Sequence, residues 1–257
     1  MKTATRLIAL AALLSGTFFV SSAIACSTAA WASATAGTNA NDPKNDVNRL
    51  SGFCGLEVTG TGLVVDNSPT AEATFIARFY VFPKLLSAGT LFEAYSDEAG
   101  TALFNISYDG SNFTIDASDA TGGSVSVAAE TAKWNLIEFA WTSGEDGSLW
   151  VNSDATVDPA DGTFASGTGA VEQVKLGAVS DFGSESALFD DYESHRSLPV
   201  GGLLIGDANG NGSITIADAI TLFNEIGPDK ILASGQPDCN ISGNITIADA
   251  ICLFNAL

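Results

Sequence analysis

The sequence predicts a mainly β protein: a two-sheet β-sandwich of the jelly-roll kind, followed by a small α-helical module. Three observations carry that expectation. Between residues 50 and 197, short apolar runs alternate at period two and are broken by Gly, Asp, Asn or Ser. No helical period of useful length appears there. After residue 203 a segment recurs at a spacing of 31 residues, and each copy runs from a polar loop into an apolar-periodic stretch.

In chain order, residues 1–25 have the layout of a secretory signal. Lys2 and Arg6 make a basic start, and Leu7 to Val20 is mostly apolar. That stretch is too short to span a bilayer, which takes roughly 20 residues. Ala23-Ile24-Ala25 offers small residues where a signal peptidase reads. No later stretch reads as a transmembrane span. The expected mature chain is exported and soluble: secreted, or held at the cell surface, with the periplasm as an alternative. Cys26 directly follows the cut, so a lipoprotein is a rival reading. Ala23 stands where such signals usually carry Leu, and lipidating Cys26 would strand Cys54. The four cysteines allow three connectivities. Local pairing, Cys26–Cys54 and Cys239–Cys252, uses all four and suits an oxidising compartment. The alternative for Cys239 and Cys252 is two buried free thiols.

Removing the leader leaves 30 acids against 8 bases, a net charge of −22. Nucleic-acid binding needs clustered cations, so that partner class is excluded. An anionic membrane surface is disfavoured by the same repulsion. The lone histidine, His195, rules out a multi-histidine zinc or iron site.

Residues 26–49 are small and polar without a clear period, and read as an N-terminal segment joined to the sandwich. Residues 50–197 carry the strands. Ala73 to Phe82 puts Phe75, Ala77, Phe79 and Val81 on one face, with Thr74, Ile76, Arg78 and Tyr80 on the other. Further strands are expected over 91–95, 102–108, 112–116, 124–128, 134–141, 148–152, 171–176 and 187–193. Asp109-Gly110, Gly122-Gly123 and Asp146-Gly147 mark turns between them.

The order Phe75-x-x-Arg78-Phe79, Trp134-x-x-Ile137-Glu138-x-x-Trp141, Gly147-Ser-Leu-Trp-Val151, Lys175-Leu-Gly177 and Phe189-Asp-Asp-Tyr-Glu-Ser194 resembles a laminin-G-like jelly roll. That family belongs to the concanavalin A-like lectin and glucanase group. The resemblance implies a concanavalin A-like β-sandwich with a binding or adhesive role toward a polysaccharide. Related glucanases carry a Glu-x-Asp-x-x-Glu strand, and this chain has none. Its nearest approach is Asp190-Asp191-Tyr192-Glu193, where alternation would place Asp191 and Glu193 on one face. A retaining glycosidase needs two carboxylates about 5 Å apart. No catalytic residue is assigned, and a structural acid cluster is the favoured reading there. Trp31, Trp134, Trp141, Trp150, Tyr95 and Tyr108 are candidate sugar platforms, although strand parity turns most of them into core. Trp134 and Trp141 fall on opposite faces.

Residues 198–202 read as a short linker to a module over 203–257. There the run from Asp207 to Asp218 aligns with that from Asp238 to Asp249. The spacing has a mechanism. Calcium takes six to eight oxygens at 2.3–2.6 Å, and a twelve-residue loop supplies them from places one, three, five, seven, nine and twelve. The expected ligands are Asp207, Asn209, Asn211, the Ser213 carbonyl, Thr215 through water, and Asp218. The second set is Asp238, Asn240, Ser242, the Asn244 carbonyl, Thr246 through water, and Asp249. Gly212 and Gly243 stand at the sixth place, where the loop bends sharply. Ile214 and Ile245 stand at the eighth, where paired loops make a short strand contact. Two calcium ions are therefore expected. Each loop brings two formal negative charges, so affinity on the order of 10⁻⁴ M is expected.

An ordinary EF-hand ends on Glu and has a helix before each loop. Here the twelfth residue is Asp and only a following helix is read, over 217–226 and 248–257, with Ile220, Leu222, Phe223, Ile251, Leu253 and Phe254 as a shared core. This pattern resembles a type I dockerin, an EF-hand-like family. The resemblance implies docking to a cohesin-like protein near Ile216, Ala217, Ile247 and Ala248. Those pairs are apolar where cellulosomal dockerins commonly have hydroxyls, and the repeat has intramolecular docking as an alternative.

The resulting expectation is a secreted non-catalytic binding or adhesion protein, acting in extracellular polysaccharide binding or degradation. A divergent polysaccharide hydrolase or lyase, and a structural cell-surface protein, are the alternatives.

Overall fold

The computed structural model describes residues 28–35, 37–40, 49–97, 100, 102–117, 121–228 and 231–257. The expected leader 1–25 and Cys26 lie outside them. The described chain is mainly β, with two antiparallel seven-stranded sheets and two short helices.

The first sheet contains β1 (Ser33–Ala34), β4 (Leu63–Asp66), β13 (Gln173–Gly177), β6 (Gly89–Tyr95), β7 (Ala102–Tyr108), β8 (Asn112–Ala117) and β9 (Ser124–Ala128), in that spatial order. The second contains β12 (Gly162–Ala165), β11 (Asp146–Val151), β10 (Asn135–Thr142), β5 (Thr74–Phe82), β14 (Ser186–His195), β3 (Cys54–Thr59) and β2 (Gly37–Ala40). The helices are α1 (Ile216–Ile226) and α2 (Ile247–Ala256). Five of these strands, β1 to β4 and β12, are not among the segments expected from pattern. They have only two to six residues, too few to establish a period. Two of them lie in the 26–49 stretch that reads as patternless.

The main core is a layer of aromatic rings between the sheets. Phe75, Phe79 and Phe139 from the second sheet meet Phe92 and Phe104 from the first, all fully buried. Phe104 lies 5.3 Å edge-on to Phe139 and stacks on Trp141 at 5.7 Å. Offset and edge-to-face pairs of this kind add about 0.5–1.5 kcal/mol each beyond the area they bury.

The opposite face of the second sheet is covered as well. In β5, Ile76, Arg78 and Tyr80 are buried along with their core-facing neighbours. Two layers do this. The 198–202 segment, expected as a linker, lies along the sheet. Val200 and Gly201 donate backbone N–H bonds to Glu138 at 2.7 and 2.9 Å, and the Arg78 guanidinium donates to the Gly201 carbonyl at 2.7 Å. Burial raises the Glu138 carboxyl above its usual range, against the two N–H bonds that lower it. Beyond this segment the C-terminal repeat seals a second apolar cluster of Leu50, Tyr80, Trp134, Leu136 and Leu188, joined by Phe82, Leu203 and Ile241. The parity that separates Trp134 from Trp141 therefore sends Trp134 to a second buried layer, where it is 1% exposed.

Candidate functional site

The two repeat loops share most of their hydrogen bonds and differ at the fifth place. In the first, Asp207 accepts backbone N–H bonds from Asn211 at 3.0 Å and Gly212 at 2.6 Å. Asn209 Oδ1 accepts from Asn211 at 3.1 Å, and Asn211 Oδ1 accepts from Ser213 at 2.9 Å. Asp218 closes the loop, accepting from Asn209 N at 3.1 Å and Thr215 N at 2.8 Å. In the second, Asp238 accepts from Ser242 at 3.0 Å and Gly243 at 2.7 Å, and Asn240 Oδ1 accepts from Ser242 at 3.0 Å. Asp249 accepts from Asn240 N at 3.1 Å and Thr246 N at 2.8 Å. The Ser242 hydroxyl donates to the Asn244 carbonyl at 3.2 Å, which sets two of the expected donor oxygens side by side. Gly212 and Gly243 sit at φ +80° and +81°, a left-handed bend that glycine takes without a Cβ clash.

This donor set fits a hard cation. Asp207, Asp218, Asp238 and Asp249 are all buried, and among the described residues none makes an ion pair with Lys, Arg or His. In the second loop the Asp238 and Asp249 side chains are close enough to interact directly. Burial pushes Asp238 up to about 7, and the Asp249 charge adds to the rise. A divalent ion at the centre would supply the missing opposite charge.

The twelfth-place Asp has a second task. Thr215 and Thr246 are helix N-caps whose side chains accept from Ala217 N and Ala248 N, each at 3.2 Å. Asp218 and Asp249 reach back to the cap N–H, completing capping boxes. Loop closure and helix start thus share one carboxylate.

The expected pairing of Ile214 with Ile245 through a short strand is not what ties the repeats. Gly235 N donates to the Ala208 carbonyl at 2.9 Å and Gln236 N to the Asp207 carbonyl at 2.7 Å. The helices bury Ala219 and Leu222 on α1, and Ala250 and Leu253 on α2. Cys239 is bonded to Cys252, with Cα atoms 5.9 Å apart. Cys54 is not a free thiol, while its expected partner Cys26 lies outside the described residues.

The expected shared core of the helices holds in part. Leu222 and Leu253 are buried, whereas Ile220, Phe223, Ile251 and Phe254 are exposed. With Ile216 and Ile247 they make two matching stripes at spacing i, i+4, i+7, and Phe223 lies 6.0 Å from Phe254 across the join. Ala217 and Ala248 are exposed beside them. Helical period alone identifies an apolar stripe, but which stripe meets the partner helix depends on how the loops orient the pair.

On the sandwich, the acid run of β14 departs from alternation. A bulge lies between Asp190 and Glu193, and Asp191 sits at φ +48°. Asp191 and Glu193 therefore do not share a face as strand parity predicts, because the extra residue shifts the register. Asp190 accepts from Leu50 N at 2.7 Å and Ser51 N at 3.0 Å. Burial pushes its carboxyl up to about 7, with Asp191 adding to the rise. Asp191 accepts from the Ser51 hydroxyl, and Glu193 pairs with Arg78 at 3.1 Å and His195 at 3.0 Å. Each acid of the run is thus bonded to a neighbouring part of the fold.

Beside this run is a cleft of about 150 Å³, lined by Thr28, Trp31, Leu56, Asp190, Asp191 and Tyr192 among others. Trp31 packs 5.2 Å from Tyr192, whose hydroxyl donates to Asp66 at 3.3 Å. Of the aromatic residues singled out in the sequence, Trp134, Trp141, Tyr95 and Tyr108 are buried. Trp31 and Trp150 are half-buried, and the Trp150 indole N–H donates to the Asp158 carbonyl at 3.2 Å.

No protein-family model matches the chain, and no curated protein matches it. Among solved structures it is similar to botulinum neurotoxin binding domains. The serotype D binding domain is 12% identical with a TM-score of 0.44, covering 63% of this chain and 43% of that one. The serotype G receptor-binding domain is 13% identical with a TM-score of 0.38, covering 62% and 42%. The chain spans less than half the length of these domains, and likeness at this level assigns no function.

Proposed function

We propose that this chain is an exported, non-catalytic binding protein with two working parts. The C-terminal repeat is a calcium-folded, dockerin-like module that attaches the protein to a cohesin-like partner. The sandwich binds an extracellular polysaccharide.

The observation that carries the reading is the doubled loop. Each copy holds two buried carboxylates with no cation paired to them among the described residues, and each leads into a helix whose exposed apolar stripe matches the other. Calcium draws the carboxylates together and anchors the start of each helix through Asp218 and Asp249. The stripes of Ile216, Ile220 and Phe223, and of Ile247, Ile251 and Phe254, then form the docking face. An exposed apolar patch of this kind on a strongly acidic chain marks a protein-binding surface. For the sandwich, support comes from the cleft beside Trp31, where a half-buried indole adjoins carboxylates able to accept sugar hydroxyl hydrogen bonds.

Calorimetric titration with calcium tests the first part. Two bound ions per chain are expected, falling to one in Asp218→Asn or Asp249→Asn. No heat and no change in helical signal on adding calcium would overturn the reading. Retention on insoluble polysaccharides, weakened in Trp31→Ala, tests the second part.

A further inference from the structure

The two repeats are near-copies, so the places where they differ are informative. At loop place four the first repeat has Gly210 at φ +71°, a conformation natural to glycine. The second has Ile241 at φ +52°, where a β-branched side chain is disfavoured. On the helices, Glu225 of α1 corresponds to Ala256 of α2. Both odd residues lie against the sandwich. The Ile241 carbonyl accepts the Trp134 backbone N–H at 3.0 Å, and its side chain joins the cluster under Tyr80, Trp134 and Leu136. Glu225 forms a buried ion pair with Arg49. Gly243, two residues after Ile241, leaves so little room that a Cβ there would lie 3.3 Å from the Phe82 ring. The exposed stripes are identical in the two copies, whereas the two seam positions differ.

We infer that the second loop is a calcium-dependent latch that holds the C-terminal helical pair on the outer face of the second sheet. This rests on the calcium reading above. Ile241 is placed by the metal cage itself: its N–H donates to the Asp238 carbonyl at 3.1 Å, and the next N–H, of Ser242, donates to Asp238 Oδ1. With no ion between them, the Asp238 and Asp249 carboxylates repel, the loop opens, and Ile241 leaves its strained seat. The seam is suited to release. The two buried side-chain donors that find no partner among the described residues, Arg49 Nε and Trp134 Nε1, both lie in it. Each regains a water partner on opening. Calcium at the second loop would thus set the direction in which the paired helix stripes point from the sandwich; the first loop holds glycine at that place and reaches the seam only through Glu225, near the far end of its helix.

The test uses the full chain and acrylamide quenching of tryptophan fluorescence, with Trp134→Phe to identify the Trp134 share. Calcium binding is measured in parallel by calorimetry. Excess EGTA is expected to make Trp134 quenchable and to open the 198–202 segment to proteolysis. Ile241→Gly restores the residue type of the first loop, so it is expected to keep two bound ions yet leave Trp134 quenchable in saturating calcium. Two bound ions with no change at Trp134 on chelation would overturn the latch and leave the calcium reading standing. An Ile241→Gly chain that shields Trp134 as well as the parent would also overturn it. Absence of calcium binding would remove both.

Discussion

Asp190 is a half-buried carboxyl in the wall of the cleft beside Trp31. It accepts the backbone N–H groups of Leu50 and Ser51, and burial with the adjacent Asp191 raises it to about 7. Its ordinary value is 3.8, so between about pH 4 and 7 the folded chain keeps a proton that the unfolded chain has lost. Stability contributed by this group is then present below pH 4 and is lost as pH rises through 7. Urea midpoints measured across that window should decline on account of this residue. Asp190→Asn should flatten that part of the decline, at the cost of one of the three backbone N–H bonds that the carboxylate accepts. An unchanged slope would show that Asp190 is ionised in the fold. The neighbouring φ +48° at Asp191 explains why sequence parity misplaces this run. A bulge is a one-residue event, and Asp tolerates the left-handed region without announcing it.

At the scale of elements, each helix of the repeat has a buried face and an exposed apolar face. Ala219, Leu222, Ala250 and Leu253 face inward, whereas Ile220 and Ile251 are each 57% exposed. Ile220→Lys with Ile251→Lys should therefore leave the thermal midpoint and the calcium stoichiometry unchanged, and abolish retention on a cohesin-like partner. A fall in stability of more than about 1 kcal/mol would instead mean that the stripe is internal. The caps give the opposite result. Thr246→Ala removes the side-chain acceptor of Ala248 N and should cost about 1 kcal/mol of stability, read from calcium-saturated unfolding. Because Thr246 also donates to Asp249 at 3.2 Å, calcium affinity should weaken with it.

For the whole molecule, the two apolar clusters have different dependencies. The aromatic core between the sheets owes nothing to the repeat, while the cluster around Trp134 is closed partly by Ile241. Heating in excess EGTA should therefore show the helical signal gone at the outset and a remaining cooperative transition from the sandwich, followed by circular dichroism at far- and near-ultraviolet wavelengths. A single calcium-independent transition would contradict that division. The sequence by itself determined what local periodicity and spacing can encode. The two-residue alternation of Thr74–Phe82 specified a strand, and the doubled Asp-x-Asn spacing with glycine at the sixth place specified two oxygen-lined loops. Very short strands such as Ser33–Ala34 carry no period, so only pairing with a neighbour defines them. Tertiary structure alone decided that 198–202 is packed against Glu138 and Arg78, that Trp134 is buried by another part of the chain, and that the Ile220 and Phe223 stripe faces outward. The reason is physical: a side chain's polarity says that it favours a partner over water, but which surface supplies that partner depends on contacts between residues far apart in the chain.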